Sequence, residues 1–587
     1  MMRIRTPYII LFLCFVVLGV YYPSLFAPYS TVDDTRMVNS LLNVETFSFK
    51  KIFFATGKGQ YFRPLLRLTF HLDRFAWGLE ESFMHLENIL LHMFNVLLVY
   101  FIALKVYIAG AERKRLVAAI AALIFALHPI NTESVNWISG RSDILAGSFV
   151  LLSVLFLLRA MQDNRLWAGA MGALFFLLGC MAKETALFFL PGALFLVAVY
   201  PSNTPATFPV YKRWGRWFVA AFFSAAPCLY LLLRHMVFTH GDHGVRLAVR
   251  HAVGDPGDLG HKLYIILKVA GFYAVKLFMP LPLNFGIITV SSWYLLPGAL
   301  LGLIVVYLCW RRDTIGALFL TSICIGSSAL IIAIAKMSWT PVAERYLYIP
   351  CAIFCVAVTV VAADLVKRYN LKKPATVALV VILAVFAFAT AERNILWQDN
   401  LALAEDTVRK SPWFGAAKND MAIALLKRGK KEEALKIFQE NDIEKFQAGS
   451  LNKAVVLIST GKLDEARSLL RERLKDQVPY RDQILKRLIS VDETIRNKSS
   501  DGAVRESMNL EILELLEDLH RTTRDPFCYY RMGRVALALG RKTDAAEFFA
   551  KAWKGAPEGA YYKAPAGKLA KDLSASSKSG EQERSGM

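Results

Sequence analysis

Apolar residues in this chain come in runs. Leu116–Leu127, Ile144–Leu158, Leu166–Met181 and Ala375–Ala389 hold almost no charge. A hydrocarbon core about 30 Å thick calls for roughly 20 mostly apolar residues per helix, and runs on that scale recur until about residue 391. They predict an all-α polytopic bundle with eleven spans, near 7–27, 86–108, 115–130, 143–160, 165–181, 185–200, 215–235, 293–310, 315–336, 345–365 and 375–391. The first run follows Arg3 and Arg5 as a signal peptide would. It lacks a small-residue cleavage site and more spans follow, so it reads as a retained helix. A further run, 261–280, carries Lys262, Lys268 and Lys276 and ends in Met279-Pro-Leu-Pro282, which makes it a poor span.

The pattern changes near Ala391–Gln398 to a mixture of Lys, Arg, Glu, Asp, Ala and Leu without any spanning run. Three stretches there share one register: Gly429 with Ala434, Gly461 with Ala466, and Gly540 with Ala545. In each, a Gly stands five residues before an Ala, and Gly429 and Gly461 are 32 residues apart. The Gly would end one helix and the small Ala would let the next pack closely. This predicts tetratricopeptide (TPR) pairs in an α-solenoid, a repeat of 34 residues that offers a concave face to peptides or partner domains. The expected organisation is a membrane domain over 1–395, a repeat domain over 396–565 and a disordered tail over 566–587.

Charge then orients the bundle. The formal net charge is +21, but much of it lies in short loops between runs. Arg3/Arg5, Lys105 with Arg113–Arg115, Arg159/Arg165 and Lys212/Arg213/Arg216 fall on alternate loops, and the positive-inside rule puts all four in the cytoplasm. Loop 28–85 is then outside. If 261–280 does not cross, Arg311/Arg312 and Lys367/Arg368/Lys372/Lys373 also return inside, and the repeats lie outside, in the periplasm of a bacterial-type cell. A mean hydropathy of +0.38 excludes an ordinary soluble protein, and this distribution of charge argues for anionic membrane lipid over nucleic acid. Of eight Cys, seven lie in the membrane half, with no disulfide or metal spacing.

The chemistry-bearing residues gather on the outer side. Asp33-Asp34 succeeds the first span, and paired carboxylates suit a general base or a metal ligand, or simply a hydrated loop. Tyr61-Phe-Arg63-Pro64-Leu65 and His71-Leu-Asp73 come next. His85, Asn88, His92 and Asn95 share one helix face, which must point into the protein because polar groups facing lipid are costly. Further along stand His128-Pro-Ile-Asn-Thr-Glu133, Trp137, Ser139-Gly-Arg141-Ser-Asp143, Lys183-Glu184 and Glu344-Arg345-Tyr346-Leu347-Tyr348. Each alone reads as an anchor, a cap or an interhelical hydrogen bond. Together His128, Glu133, Arg141, Lys183, Glu344 and Arg345 share a membrane face with the Asp pair. Arg and Lys there suit a phosphate, and an Asp beside it suits deprotonation of an acceptor hydroxyl.

The order Asp33-Asp34, Tyr61-Phe62-Arg63-Pro64-Leu65, His85-Leu86-x-Asn88-x-x-Leu91-His92-x-x-Asn95, Leu127-His128-Pro129, Thr132-Glu133, Trp137-Ile138-x-Gly140-Arg141-x-Asp143, Lys183-Glu184-Thr185 and Ala343-Glu344-Arg345-Tyr346-Leu347-Tyr348 resembles the TMTC family. These are transmembrane and tetratricopeptide protein O-mannosyltransferases of the GT-C superfamily, and the likeness extends over nearly the whole chain. Pro280-Leu-Pro-Leu283-Asn284 is similar to a family element but lacks the acidic–aromatic pair that comes after it there. The resemblance implies an inverting enzyme that takes a sugar from a polyprenyl phosphate carrier and gives it to a protein acceptor held by the TPR repeats. It places the base at Asp33 and Asp34 and donor phosphate contacts at Arg345, with Lys183, Arg141 and His128 as helpers. Glu344, Glu133, Arg63 and His92 would support them. No cofactor beyond the lipid-linked donor is implied, and no further spaced carboxylates support a divalent metal. The few repeats suggest a bacterial inner-membrane member with an undecaprenyl-type carrier. Two other readings predict different outcomes. An oligosaccharide ligase would concentrate its chemistry in the late outer loop, about 236–292, and a TPR membrane scaffold would survive loss of the Asp pair.

Overall fold

A computed structural model of the chain describes residues 5–42, 44, 46–54, 61–200, 210–238, 259–335, 340–440, 449–476 and 480–584. They form helices joined by turns, with a single antiparallel bridge, among the described residues, between Ile287 and Val342. Two compact units are present, Met1–Phe414 and Gly415–Met587.

All eleven expected spans fall on helices. Eight are long and apolar enough to cross a membrane: Thr6–Phe26, Glu81–Val106, Ile138–Asp163, Gly215–Val237, Ser292–Arg311, Thr314–Ile332, Glu344–Arg368 and Lys372–Leu396. Ala111–Leu127 and Pro129–Asn136 form a pair bent by 50°. Leu166–Ala182 and Glu184–Val199 are shorter apolar helices. The protein is therefore an integral, multi-pass membrane protein. Run 261–280 is a helix, Leu259–Phe278, outside the spanning set. It lies tightly against Leu295–Arg311: a Cβ on Gly271 would collide with the Tyr294 carbonyl, and one on Gly298 with the Leu267 carbonyl. Small residues at such a crossing let two backbones approach, which is how helices associate where lipid offers no hydrophobic drive.

One continuous core runs through the bundle, from Leu13 and Val17 on the first helix to Val356 on the tenth span. Several polar side chains inside it bridge helices. Asn95 donates to the Ile144 carbonyl at 2.9 Å and to the Tyr348 hydroxyl at 3.0 Å. Gly147 makes room for that ring: a Cβ there would meet Tyr348 Cε1 at 2.9 Å. Ser24 Oγ donates to Asn136 Oδ1 at 2.6 Å, Asn136 Nδ2 to Asn394 Oδ1 at 2.7 Å, and Asn394 Nδ2 to the Val20 carbonyl at 2.8 Å. This chain of amides ties the first span to the last.

The membrane unit extends past the expected boundary at 395. Helix Asn400–Lys410 belongs to it because Arg393 Nη1 pairs with Asp406 at 2.7 Å, Lys410 Nζ donates to the Leu283 carbonyl at 2.7 Å, and Asn400 donates to the Tyr29 carbonyl at 2.9 Å. Four motif segments are short 3₁₀ turns at helix junctions: Pro129–Asn131, Ile138–Gly140, Glu184–Phe188 and Glu344–Leu347. Such turns serve as connectors, and they set the motif side chains at helix ends.

In the second unit, Gly415–Lys427 pairs with Lys431–Glu440, Gly449–Ser459 with Leu463–Leu474, and Phe527–Ala538 with Lys542–Gly555. Gly429, Gly461 and Gly540 stand at the three turns with φ of +77°, +79° and +74°, a left-handed conformation that favours glycine. Ala434, Ala466 and Ala545 are fully buried behind them. The stretch expected as a disordered tail from 566 begins inside a helix, Lys563–Arg584, because Ala566 and Ala570 pack with Ala545 and Phe549.

Candidate functional site

The two adjacent carboxylates do different things. Asp34 opens helix Asp34–Leu42 and is buried. Its Oδ2 accepts from the Ser30 backbone N–H at 3.1 Å, and its Oδ1 accepts from Ser139 N–H at 2.9 Å and Ser139 Oγ at 2.5 Å. Burial, together with Asp33, pushes its pKa up to about 6 against the pull of these hydrogen bonds. Asp33 is exposed to solvent. Surrounding protein displaces enough water to raise its pKa, while Arg345, Arg36 and Arg63 act on it in the opposite sense. Asp34 thus pins the loop to Ser139 and leaves Asp33 as the open carboxylate, within the electrostatic reach of Arg345, Arg36 and Arg63.

Arg345 lies in the turn that opens the tenth span. Its backbone N–H donates to Glu133 Oε2 at 3.1 Å and its Nη1 to Glu133 Oε1 at 2.5 Å. The guanidinium stacks 5.0 Å from the Trp137 ring and 4.8 Å from that of Tyr346. Lys183 donates to both oxygens of Asp143 at 2.6 Å and sits 5.5 Å from the Tyr346 ring. Arg63 Nε pairs with Glu184 at 2.8 Å and stacks 4.4 Å from Tyr61. Lys183 feels the charges of both Arg63 and Arg345. Asp33, Arg63, Lys183 and Arg345, from four separate elements, therefore form one electrostatic neighbourhood. Buried cations cost several kcal/mol each unless paired, which is why Lys183 and Arg345 each hold a carboxylate. Asp33 and the cations together can bind an anion and take a proton from a neighbouring hydroxyl.

Glu344 takes different partners. It accepts from Lys276 Nζ at 2.8 Å and from the Asn284 N–H at 3.2 Å. Lys276 also donates to the Pro280 carbonyl at 2.8 Å and to that of Pro282. Glu344 thereby fixes the Pro280–Asn284 segment beside Arg345.

Three predicted site residues belong to the scaffold. Arg141 is fully buried; its Nε donates to Asn88 at 2.9 Å, its Nη1 pairs with Asp73 at 2.6 Å and Glu87 at 2.8 Å, and its Nη2 donates to the Met84 carbonyl at 2.9 Å. Those partners join the loop before the second span to two spans and hold the Arg141 guanidinium inside the bundle. His128 uses both ring nitrogens, with the Ile130 N–H at 3.3 Å and the Leu277 carbonyl at 3.2 Å, and packs 4.8 Å from Phe386. That leaves it no reach toward a phosphate. His92 lies in the core, with Nδ1 2.8 Å from the Tyr348 hydroxyl.

Sequence reasoning misses Arg234. It is buried, reaches Glu184 at 3.4 Å and the Tyr230 hydroxyl at 3.4 Å, and so joins the Arg63–Glu184 pair. An ionisable residue inside an apolar helix is the available signal. Lys276 enters the sequence reading only as evidence against a span.

No family model matches the chain. Human protein O-mannosyl-transferase TMTC1 is 32% identical over 136 residues, 23% of this chain and 14% of that protein. Mouse protein O-mannosyl-transferase TMTC4 is 24% identical over 366 residues, 54% of this chain and 48% of that protein. Xenopus laevis tmtc2 is 32% identical over 100 residues, 17% and 11% of the two chains. This chain is TMTC-like. The matches span about half or less of the length of these relatives. Among solved structures, an archaeal oligosaccharyltransferase, AglB from Archaeoglobus fulgidus, in complex with an inhibitory peptide and a dolichol-phosphate, aligns at 11% identity and a TM-score of 0.33. That alignment covers 73% of this chain and 59% of AglB.

Proposed function

We propose that the chain is a membrane glycosyltransferase of GT-C type, which moves a sugar from a polyprenyl-phosphate-linked donor to a hydroxyl of a protein acceptor on the outer face. The observation that carries this reading is the exposed Asp33 carboxylate in the electrostatic field of Arg63 and Arg345, with its neighbour Asp34 anchored to Ser139. Asp33 takes the proton of the acceptor hydroxyl as its oxygen attacks the anomeric carbon. The bond from that carbon to the phosphate oxygen breaks, and the anomeric centre inverts. The lipid phosphate leaves with its negative charge, which Arg345, Lys183 and Arg63 stabilise. Preorganised cations aimed at a developing anion cost no reorganisation during the step. The paired helices of the second unit act as TPR repeats that hold a polypeptide acceptor, in the periplasm of a bacterial cell. The Glu344–Lys276 pair holds Arg345 in register.

The test compares glycoproteomes of cells carrying wild-type protein, Asp33→Asn or a deletion of 415–587, with membrane insertion checked by protease protection. Loss of specific glycopeptides in Asp33→Asn with normal insertion supports transfer chemistry. An unchanged glycan profile in Asp33→Asn, with loss of function only on deleting 415–587, would overturn it in favour of a scaffold.

A further inference from the structure

The segment between the first two spans carries a surface that the site does not use. Helix Pro64–Ala76 turns Phe70 and Asp73 inward and leaves Leu72 and Phe75 50% and 47% exposed. The short helix Phe49–Phe53 buries Ile52 and leaves Phe49 63% exposed, with Phe54 54% exposed just after it. Phe47 gathers these rings, edge-on at 4.9 Å from Phe49 and 5.9 Å from Phe75. Lys50 and Lys51, both exposed, stand beside them. Lipid accounts for exposed aromatics on a span, but these residues lie outside every spanning helix. A contiguous apolar patch rimmed by charge on a surface marks an interaction site.

The adjoining span sets the height of this patch. The chain passes from Ala76 through Trp77 into span Glu81–Val106, and Trp77 stacks on Phe83 of that span's first turn, with centroids 5.1 Å apart. Aromatic rings at the mouth of a span sit at head-group level. Phe75 is thus within a few residues of the bilayer boundary. Lysines flanking aromatic side chains at that level match an anionic head-group layer, since apolar burial and attraction to anionic lipid act together there.

We propose that Phe47–Phe54 and the Leu72/Phe75 face form an interfacial anchor that seats on anionic phospholipid. The anchor belongs to the same loop as Asp33, so the lipid surface fixes the height of that carboxylate above the bilayer. The experiment is hydrogen–deuterium exchange on the full chain in nanodiscs, of phosphatidylcholine alone or with one quarter phosphatidylglycerol. Amides of 46–54 should exchange several-fold slower with the anionic lipid, because each basic side chain near such a surface contributes about fivefold to partition. Lys50→Glu/Lys51→Glu should erase that difference while exchange over the span Arg141–Asp163 stays as in wild type, which reports an intact membrane unit. Equal exchange in the two nanodiscs for wild type overturns the proposal. So does protection that appears only with added acceptor peptide, or only as protein per disc rises. Those outcomes would identify a peptide groove or a contact between copies.

Discussion

The two units treat charge in opposite ways. In the membrane unit the ion pairs at the site are enclosed: Arg345 and Glu133 side chains are 5% and 4% exposed, and Lys183 and Asp143 are 6% and 4%. In the second unit many pairs lie on helix surfaces four residues apart, as with Lys551 and Glu547 at 46% and 65%. Water solvates the second kind whether or not it is paired, so each contributes little. The first kind has no such fallback. Its partners must be supplied by other helices, and the pairs consequently record how the bundle is assembled. An ionisable group inside the membrane unit is therefore informative in proportion to how completely it is matched. Arg141 is wholly matched and reads as structure, whereas Asp33 is open and reads as chemistry.

This contrast can be broken at four points, taken from the largest effect down. Asp33→Asn should lower glycan transfer by about 10²–10⁴-fold, the range for a general base, with helix content by circular dichroism unchanged. Below that lies Arg141→Met, which strands Asp73 in the interior. It should cost about 3–5 kcal/mol and lower the yield of monodisperse protein in detergent, a stability loss that precedes any effect on chemistry. If Arg141→Met instead kept full stability and lost only transfer, the division between scaffold and site would fall.

A third, smaller effect is on pH. The base works ionised, and the Asp33 pKa is raised, so transfer should fail on acidification at a pH above the ordinary carboxylate value of about 3.9. The sign differs for stability. Asp34 holds its proton more tightly when folded, so its contribution is full below about 3.9 and is lost as pH rises to about 6. Thermal melting of Asp34→Asn between pH 4 and 6 should lack that decline. Last comes Glu547→Gln in the second unit, expected to change stability by at most about 0.5 kcal/mol, as measured by urea denaturation.

The spans were legible because lipid imposes length and apolarity directly on sequence, and the glycine turns at 429, 461 and 540 because a left-handed residue has few alternatives. The ends of the membrane unit were less so. Nothing in the composition of Asn400–Lys410 announces that Asp406 answers Arg393. At the site, the motifs located the neighbourhood but not the division of labour within it. Asp33 and Asp34 are adjacent and identical in type, and what distinguishes them is the set of hydrogen bonds Asp34 accepts from Ser30 and from Ser139, far along the chain. Arg141 and Arg345 are likewise indistinguishable until their partners are known. The fate of a buried cation depends on distant carboxylates, and sequence spacing does not report distance.

The amide chain from Ser24 through Asn136 to Asn394 also has a bearing on biogenesis. The first span emerges from the ribosome early, while the residue that completes its polar contacts is translated 394 residues in. Asn136 and Asn394 are 258 residues apart, so at roughly 5–20 residues per second Asn136 waits about 13–52 s for that partner. The amide chain can thus close only after the last span, Lys372–Leu396, has been made.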